Sequence, residues 1–473
     1  MNRIISILLA LALIGVLASC SDSGNSIIDD PEIPQTTIDL SDPSAWTLAS
    51  TPAGLFPEAS LSNNVDYGKN RALLAWYTID RLFTQRNSSY APDYIKNDLD
   101  GLSYPYAREV AFNEVYPGRE LEYGKSSVIQ TLNLSFYPRE RGPYNLDINV
   151  DPEGYLLYPE RRWGGIMRPI DIANTNFEQA GIKYIQFWLL DPFMDPELDN
   201  HDGGYLFFNL GEVSEDVLKD GHKSYEFGSL LNGDAADALQ TVWGKVHAKD
   251  ELQTYAFDNS SGAIILQDIG LDGLTNQEEF THPSYANYLN ELRSVLSGST
   301  FIAMLDDPFS PFNDPAGDDY AYYRNAYYDY MRFAIIGRYK HYNGTDGNSL
   351  SKSDANSQLY MQGRSDPDVE DINYDNTLNE AERFFQYRIA IHPDSMQVGR
   401  NYITAKQEAN VHTRNGGNQV ATWYQFTIPL NQYERKVGSI SGFSSIRYVR
   451  IFMTGFKGIT HLRFATLELT PGD

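Results

Sequence analysis

The sequence is short of cysteine, of positive charge and of catalytic signatures, and each shortage excludes something. The only cysteine among 473 residues is Cys20, so there is no intramolecular disulfide framework and no cysteine-rich zinc site. Lys and Arg number 37 against 63 Asp and Glu, a formal net charge of −26. Such a surface repels phosphate backbones, which excludes nucleic acid as a main partner. Beyond the first twenty residues no apolar run is long enough for a membrane-spanning helix. Neither H-E-x-x-H nor G-x-S-x-G occurs, and the segment from Gly118 to Lys125-Ser126 misses the phosphate-loop spacing by one residue.

What is there is apolar, aromatic and rich in tyrosine. The chain is 42% hydrophobic and 13% aromatic with 33 tyrosines, too rich in core-forming side chains for wholesale disorder. Arg3 precedes an apolar stretch over residues 4–16, and Leu17-Ala18-Ser19-Cys20 closes it. Small residues before a cysteine at that point resemble a bacterial lipoprotein signal. The expected chemistry is lipidation of the Cys20 thiol after removal of residues 1–19. Several acyl chains would then hold the protein stably on a membrane. Residues 20–37 are polar, acidic and proline-containing, as in a flexible tether. An outer-membrane lipoprotein of the cell envelope, facing the periplasm or the surface, is the resulting expectation.

The rest reads as mainly β. Apolar alternation and β-branched or aromatic residues mark strands at 131–137, 182–190, 205–210, 385–391, 423–430, 446–452 and 461–469. They fall in two blocks with one order. Each has a strand ending at proline, a Trp-bearing strand (Trp163, Trp423), a central strand (IKYIQFW, IRYVRIF) and a final strand. The expected architecture is two jelly-roll-like β-sandwich domains, over 38–218 and 364–473, with a mixed, loop-rich segment over 219–363 between them. Within that segment residues 285–296 have helical spacing. Tyr320, Tyr322, Tyr323, Tyr327, Tyr328 and Tyr330 could pack between the sandwiches, stack on a sugar or meet a protein. Trp163 and Trp188 present the same choice between core and sugar platform.

Two acidic loops carry metal-ligand spacing. Asp268, Gly270, Asp272 and Glu279 fit D-x-G-x-D-G-x5-E, and Asp371, Asn373, Asp375 and Glu382 fit D-x-N-x-D-N-x5-E. Both follow the twelve-residue EF-hand loop, with position seven (Leu274, Thr377) offering a backbone carbonyl and the last Glu two oxygens. Hard oxygen ligands at that spacing point to calcium, at extracellular-type affinities of roughly 10⁻⁴ to 10⁻³ M. Three defects oppose this. Gly270 offers no side-chain oxygen, Asn376 replaces the usual glycine, and a clear pair of flanking amphipathic helices is missing. An acidic protein also carries such turns without an ion.

Several long, ordered words complete the reading: AWTLAS (45–50), LFPEA (55–59), YGKNRALLAWY (67–77), FYPRERGPYN (136–145), RWGGIMR (162–168), FWLLDPF (187–193), TVWGKV (241–246), FNDPAGD (312–318) and 447–468. They resemble the SprA/Sov family, the gliding-motility-related outer-membrane translocon of the type IX secretion system of Bacteroidota. The resemblance runs from about Thr37 to the end. It implies a non-enzymatic role in protein export or gliding motility, with secretion-system proteins of the outer membrane as partners and no catalytic residues. Family members are several times longer, so the resemblance places this chain against an internal, largely soluble region. A surface carbohydrate-binding lipoprotein, with polysaccharide as ligand, is the alternative that sandwiches, tyrosines and tether support.

Overall fold

The computed structural model describes residues 36–226, 238–247, 257, 267–342 and 367–472. Cys20, the leader and nearly all of the tether lie outside the described residues.

The chain is mainly β, in antiparallel sheets. Thirteen strands build the central pair of sheets: β1 (Ile38–Asp39), β2 (Thr47–Leu48), β3 (Ala72–Tyr77), β4 (Leu132–Arg141), β5 (Trp163–Pro169), β6 (Tyr184–Leu190), β7 (Gly204–Glu212), β8 (Arg383–Ile391), β9 (Ile403–His412), β10 (Asn418–Pro429), β11 (Arg435–Val437), β12 (Tyr448–Thr454) and β13 (Thr460–Thr470). One sheet runs β9-β10-β6-β13-β4-β3, with β1 also on β13; the other runs β11-β8-β7-β12-β5-β2. Each strand marked in the sequence is present, with ends shifted by a few residues.

The pairing of these strands corrects the two-sandwich expectation. The first block (β4, β5, β6, β7) sends β4 and β6 to one sheet and β5 and β7 to the other. The second block (β8, β10, β12, β13) does the same with the sheets exchanged. Swapping corresponding strands turns the run β10-β6-β13-β4 into β5-β12-β7-β8, which is the second sheet read backwards. The repeat is therefore present as topology, but its two copies interlock. No two strands of one copy are hydrogen-bonded neighbours, so the blocks build one pair of sheets together.

The sheets pack face to face. Phe187 on β6 stacks on Phe208 of β7 across the interface, ring centroids 5.9 Å apart. Gly164 on β5 lets the sheets approach: a Cβ there would lie 2.8 Å from the Leu74 Cβ and 3.0 Å from the Phe136 ring. Trp163 is fully buried in this core, which removes it as a sugar platform. Trp188 is half-buried and meets the edge of the Tyr116 ring.

The middle segment covers the sandwich. Helix α1 (Asn276–Glu279) begins at a Thr275–Glu278 capping box. Helix α2 (Pro283–Val295) starts with proline in its first turn and buries Tyr285, Tyr288, Leu289 and Leu292 in the same core as the sheets. Helix α3 (Gly298–Asp306) follows, capped by Ser297. The tyrosine-rich stretch lies on the outer face of β3. Tyr77 stacks on Tyr339 at 4.5 Å, Tyr339 on Tyr323 at 4.9 Å, and Tyr328 is fully buried. Tyr330 stays exposed. Packing thus accounts for Tyr323, against the outside of a sheet rather than between two sandwiches, and for Tyr328, among Phe309, Tyr327 and Phe333.

Candidate functional site

The two acidic loops, alike in spacing, meet different fates. In the first, Asp272 sits in a turn at the foot of α1, and Glu279 is the last residue of that helix. Both are buried. They are joined by Asp318, from the turn that follows Phe312. One carboxylate oxygen from each of the three lies within 4.8 Å of the others, and Asp314, Asp318 and Asp319 form an overlapping group. Asp268 is half-buried and stands outside both groups. Leu274 is a core residue whose amide donates to Asp272 Oδ1 at 2.9 Å.

Asp272, Glu279, Asp314 and Asp319 have local hydrogen-bond partners. Asp272 Oδ2 accepts from the Tyr285 hydroxyl at 2.6 Å. Glu279 Oε2 accepts from the Ala316 amide at 2.8 Å. Asp314 accepts from the amides of Gly317, Asp318 and Asp319, which shapes the turn. Arg141 fastens that turn from outside by donating to the carbonyls of Asp314 and Pro315. Asn276 donates to Asp319 Oδ2 at 2.6 Å. Two oxygens are left over: Glu279 Oε1 and Asp318 Oδ2 are buried with no hydrogen-bond partner.

Burial of so many carboxylates together disfavours their charge. Desolvation, followed by the fields of Asp272 and Asp314, pushes Glu279 up to about 10. Asp272 rises to about 8, mainly through burial. Asp318 is driven well above the carboxylate range by burial and by Glu279 and Asp272. The charges that act most on Glu279 and Asp318 are other carboxylates, with no cation among them.

The second loop is wired differently. Asp371 accepts from the amides of Asp375 and Asn376 and so folds its own turn. Asp375 accepts from Thr377 and from Arg447, 3.0 Å away. Asn373 donates to Asp375 and to the Tyr448 hydroxyl. Glu382, the twelfth position, points to the sandwich and binds Arg450 through both oxygens at 2.9 Å. In the expected set of Asp371, Asn373, Asp375, Thr377 and Glu382, each acidic side chain thus has a protein partner. Backbone amides and two arginines hold Asp371, Asp375 and Glu382, and these three acids form no cluster like that of the first loop among the described residues.

Asp314, Asp318 and Asp319 were not singled out as ligands by the sequence pattern. The available signal was the acidic run in NDPAGDD, where a turn-forming P-A-G brings acids at 314, 318 and 319 to one side. A cavity of about 760 Å³, lined by Leu55, Phe56, Tyr205, Phe207 and Arg388 among others, lies elsewhere, and none of the candidate ligands lines it.

Comparison with known proteins bears on the role. Among the described residues no helix is long and apolar enough to cross a membrane. No curated protein matches the chain. Residues 287–473, less than half of the chain, match the SprA_N family model, described as a motility related/secretion protein. That description names a secretion and motility role and no enzymatic activity, and the match supports a relationship of this chain to the SprA/Sov family.

Proposed function

We propose that this chain is a non-enzymatic cell-envelope lipoprotein acting in protein export or gliding motility, in contact with outer-membrane components of a type IX secretion system. The family match over 287–473 is the observation that carries the reading. Two further features support it. The family-like words extend well upstream of the match, and they fall on interlocked strands: RWGGIMR on β5 and FWLL on β6 pair with β12 and with β10 and β13 of the matched region. A sheet shared in this way belongs to one structural unit. Cys20 supplies the anchor, with residues 21–37 as spacer. Burial of Trp163 and Tyr328, with Tyr323 half-buried against Tyr339, weakens the carbohydrate alternative by removing aromatic faces it would need.

The test is affinity capture of the tagged chain from envelope membranes. Co-purification of secretion-system outer-membrane proteins is expected. Recovery of bound polysaccharide without any such protein would contradict the reading. In the same strain Cys20→Ser should release the chain from the membrane fraction. Continued anchoring would contradict lipidation and leave the secretion reading standing.

A further inference from the structure

Gly270 occupies the third position of the first acidic loop, where an EF-hand-like loop carries an oxygen ligand. Its backbone is left-handed, φ +78°, and a Cβ there would lie 1.9 Å from Asp318 Oδ2. The space a third-position side chain would fill is therefore taken by the Asp318 carboxylate. The missing ligand is replaced from another part of the chain, and glycine is what admits it.

The oxygen left without a partner on Asp318 is the one beside Gly270, and the Glu279 oxygen without a partner belongs to the same group. Buried polar atoms in native proteins are almost always satisfied, and buried carboxylates are paired or bind metal. Asp318 and Glu279 lie in one group of carboxylates, where a single small cation would satisfy both oxygens at once.

We propose that Asp272, Glu279 and Asp318 bind one calcium ion, which clamps the 314–319 turn and α1 to the 268–274 loop. All donors are oxygen, and the Tyr285 hydroxyl adjoins Asp272. An oxygen-only set selects a hard cation. Magnesium keeps several waters and demands near-ideal octahedral geometry, whereas calcium accepts flexible, carboxylate-rich protein cages. Asp314 and Arg141 are positioning residues: the first shapes the turn through three amides and the second fastens its carbonyls. The site stands independently of the secretion role, since its ligands and its test involve no partner.

Terbium, a calcium mimic excited through nearby tyrosine, gives a direct readout because Tyr285 contacts Asp272. The chelator-stripped chain should show sensitised terbium emission that calcium displaces and equimolar magnesium does not. Calcium should also raise the melting temperature. Asp318→Asn should weaken calcium binding at least about tenfold, while Asp375→Asn in the other loop leaves it unchanged. If Asp318→Asn does not fold, Glu279→Gln should show the same loss. Absence of displaceable emission in the wild-type chain overturns the proposal, as does a folded Asp318→Asn or Glu279→Gln variant that binds calcium as the wild type does.

Discussion

Loop 268–279 and loop 371–382 share a spacing and differ in their company. In the first, three buried carboxylates converge, none of them in an ion pair with a basic side chain among the described residues, and two oxygens stay unsatisfied. In the second, Asp375 has Arg447 and Glu382 has Arg450, and Asp371 is occupied by its own loop's amides. Spacing along the chain sets which oxygens could meet. Counter-charge decides whether an ion is needed, because a carboxylate already held by an arginine has no remaining demand for one. The second loop has arginines paired to two of its candidate ligands, whereas Lys245 in the first pairs with Glu278 and with none of Asp272, Glu279 and Asp318.

Four measurements test this contrast, and the largest effect lies in the second loop. Arg450 is fully buried and also donates to Asn209 and Ser50. Glu382→Ala would leave that guanidinium without its carboxylate, at a cost of about 3–5 kcal/mol. Urea unfolding should show this loss equally with and without calcium. A loss seen only in calcium would return Glu382 to the role of metal ligand.

Acid supplies a change that belongs to neither loop. His461 is buried, receives or gives a hydrogen bond at Ser135 Oγ 2.7 Å away, and burial lowers it from 6.5 to about 4. A base whose folded pKa is depressed stabilises the fold fully above pH 6.5, and that contribution is lost as pH falls from 6.5 towards 4. The loss amounts to about 3 kcal/mol by linkage. His461→Gln should flatten that part of the stability profile, and an unchanged slope would remove the assignment. The two loops are therefore best compared above pH 6.5.

Calcium at a hundred times its dissociation constant should stabilise the chain by about 2.7 kcal/mol by mass action. Chelator should reverse the gain, and Glu279→Gln should abolish it. A gain that survives Glu279→Gln would place the ion elsewhere. The smallest effect is expected for Asp375→Ala. Its partner Arg447 is partly exposed, so the pair contributes at most about 1 kcal/mol. A larger, calcium-dependent loss would erase the distinction between the loops.

Local patterns in the sequence were sufficient for some features and insufficient for others. Alternation in IKYIQFWLL and HLRFATLEL marks β6 and β13 because side-chain period depends on neighbouring residues alone. The repeat of Trp-bearing, central and final strands was legible for the same reason. Which copy pairs with which was not, since β6 pairs with β10 and β13, partners distant in sequence and chosen by tertiary packing. At the acidic site Asp272 and Glu279 follow from loop spacing. Asp318 does not, because its approach depends on the left-handed turn at Gly270 and on the Asp314 amide network. Glu382 matches the pattern as well as Glu279 does, and only the position of Arg450 across the sheet distinguishes them.

The most direct test of the central contrast is a calorimetric titration of the chelator-stripped chain with calcium. One ion per chain is predicted, with binding lost in Asp318→Asn and retained in Asp375→Asn. Two ions per chain, no binding at all, or binding that depends on Asp375 and not on Asp318 would contradict it.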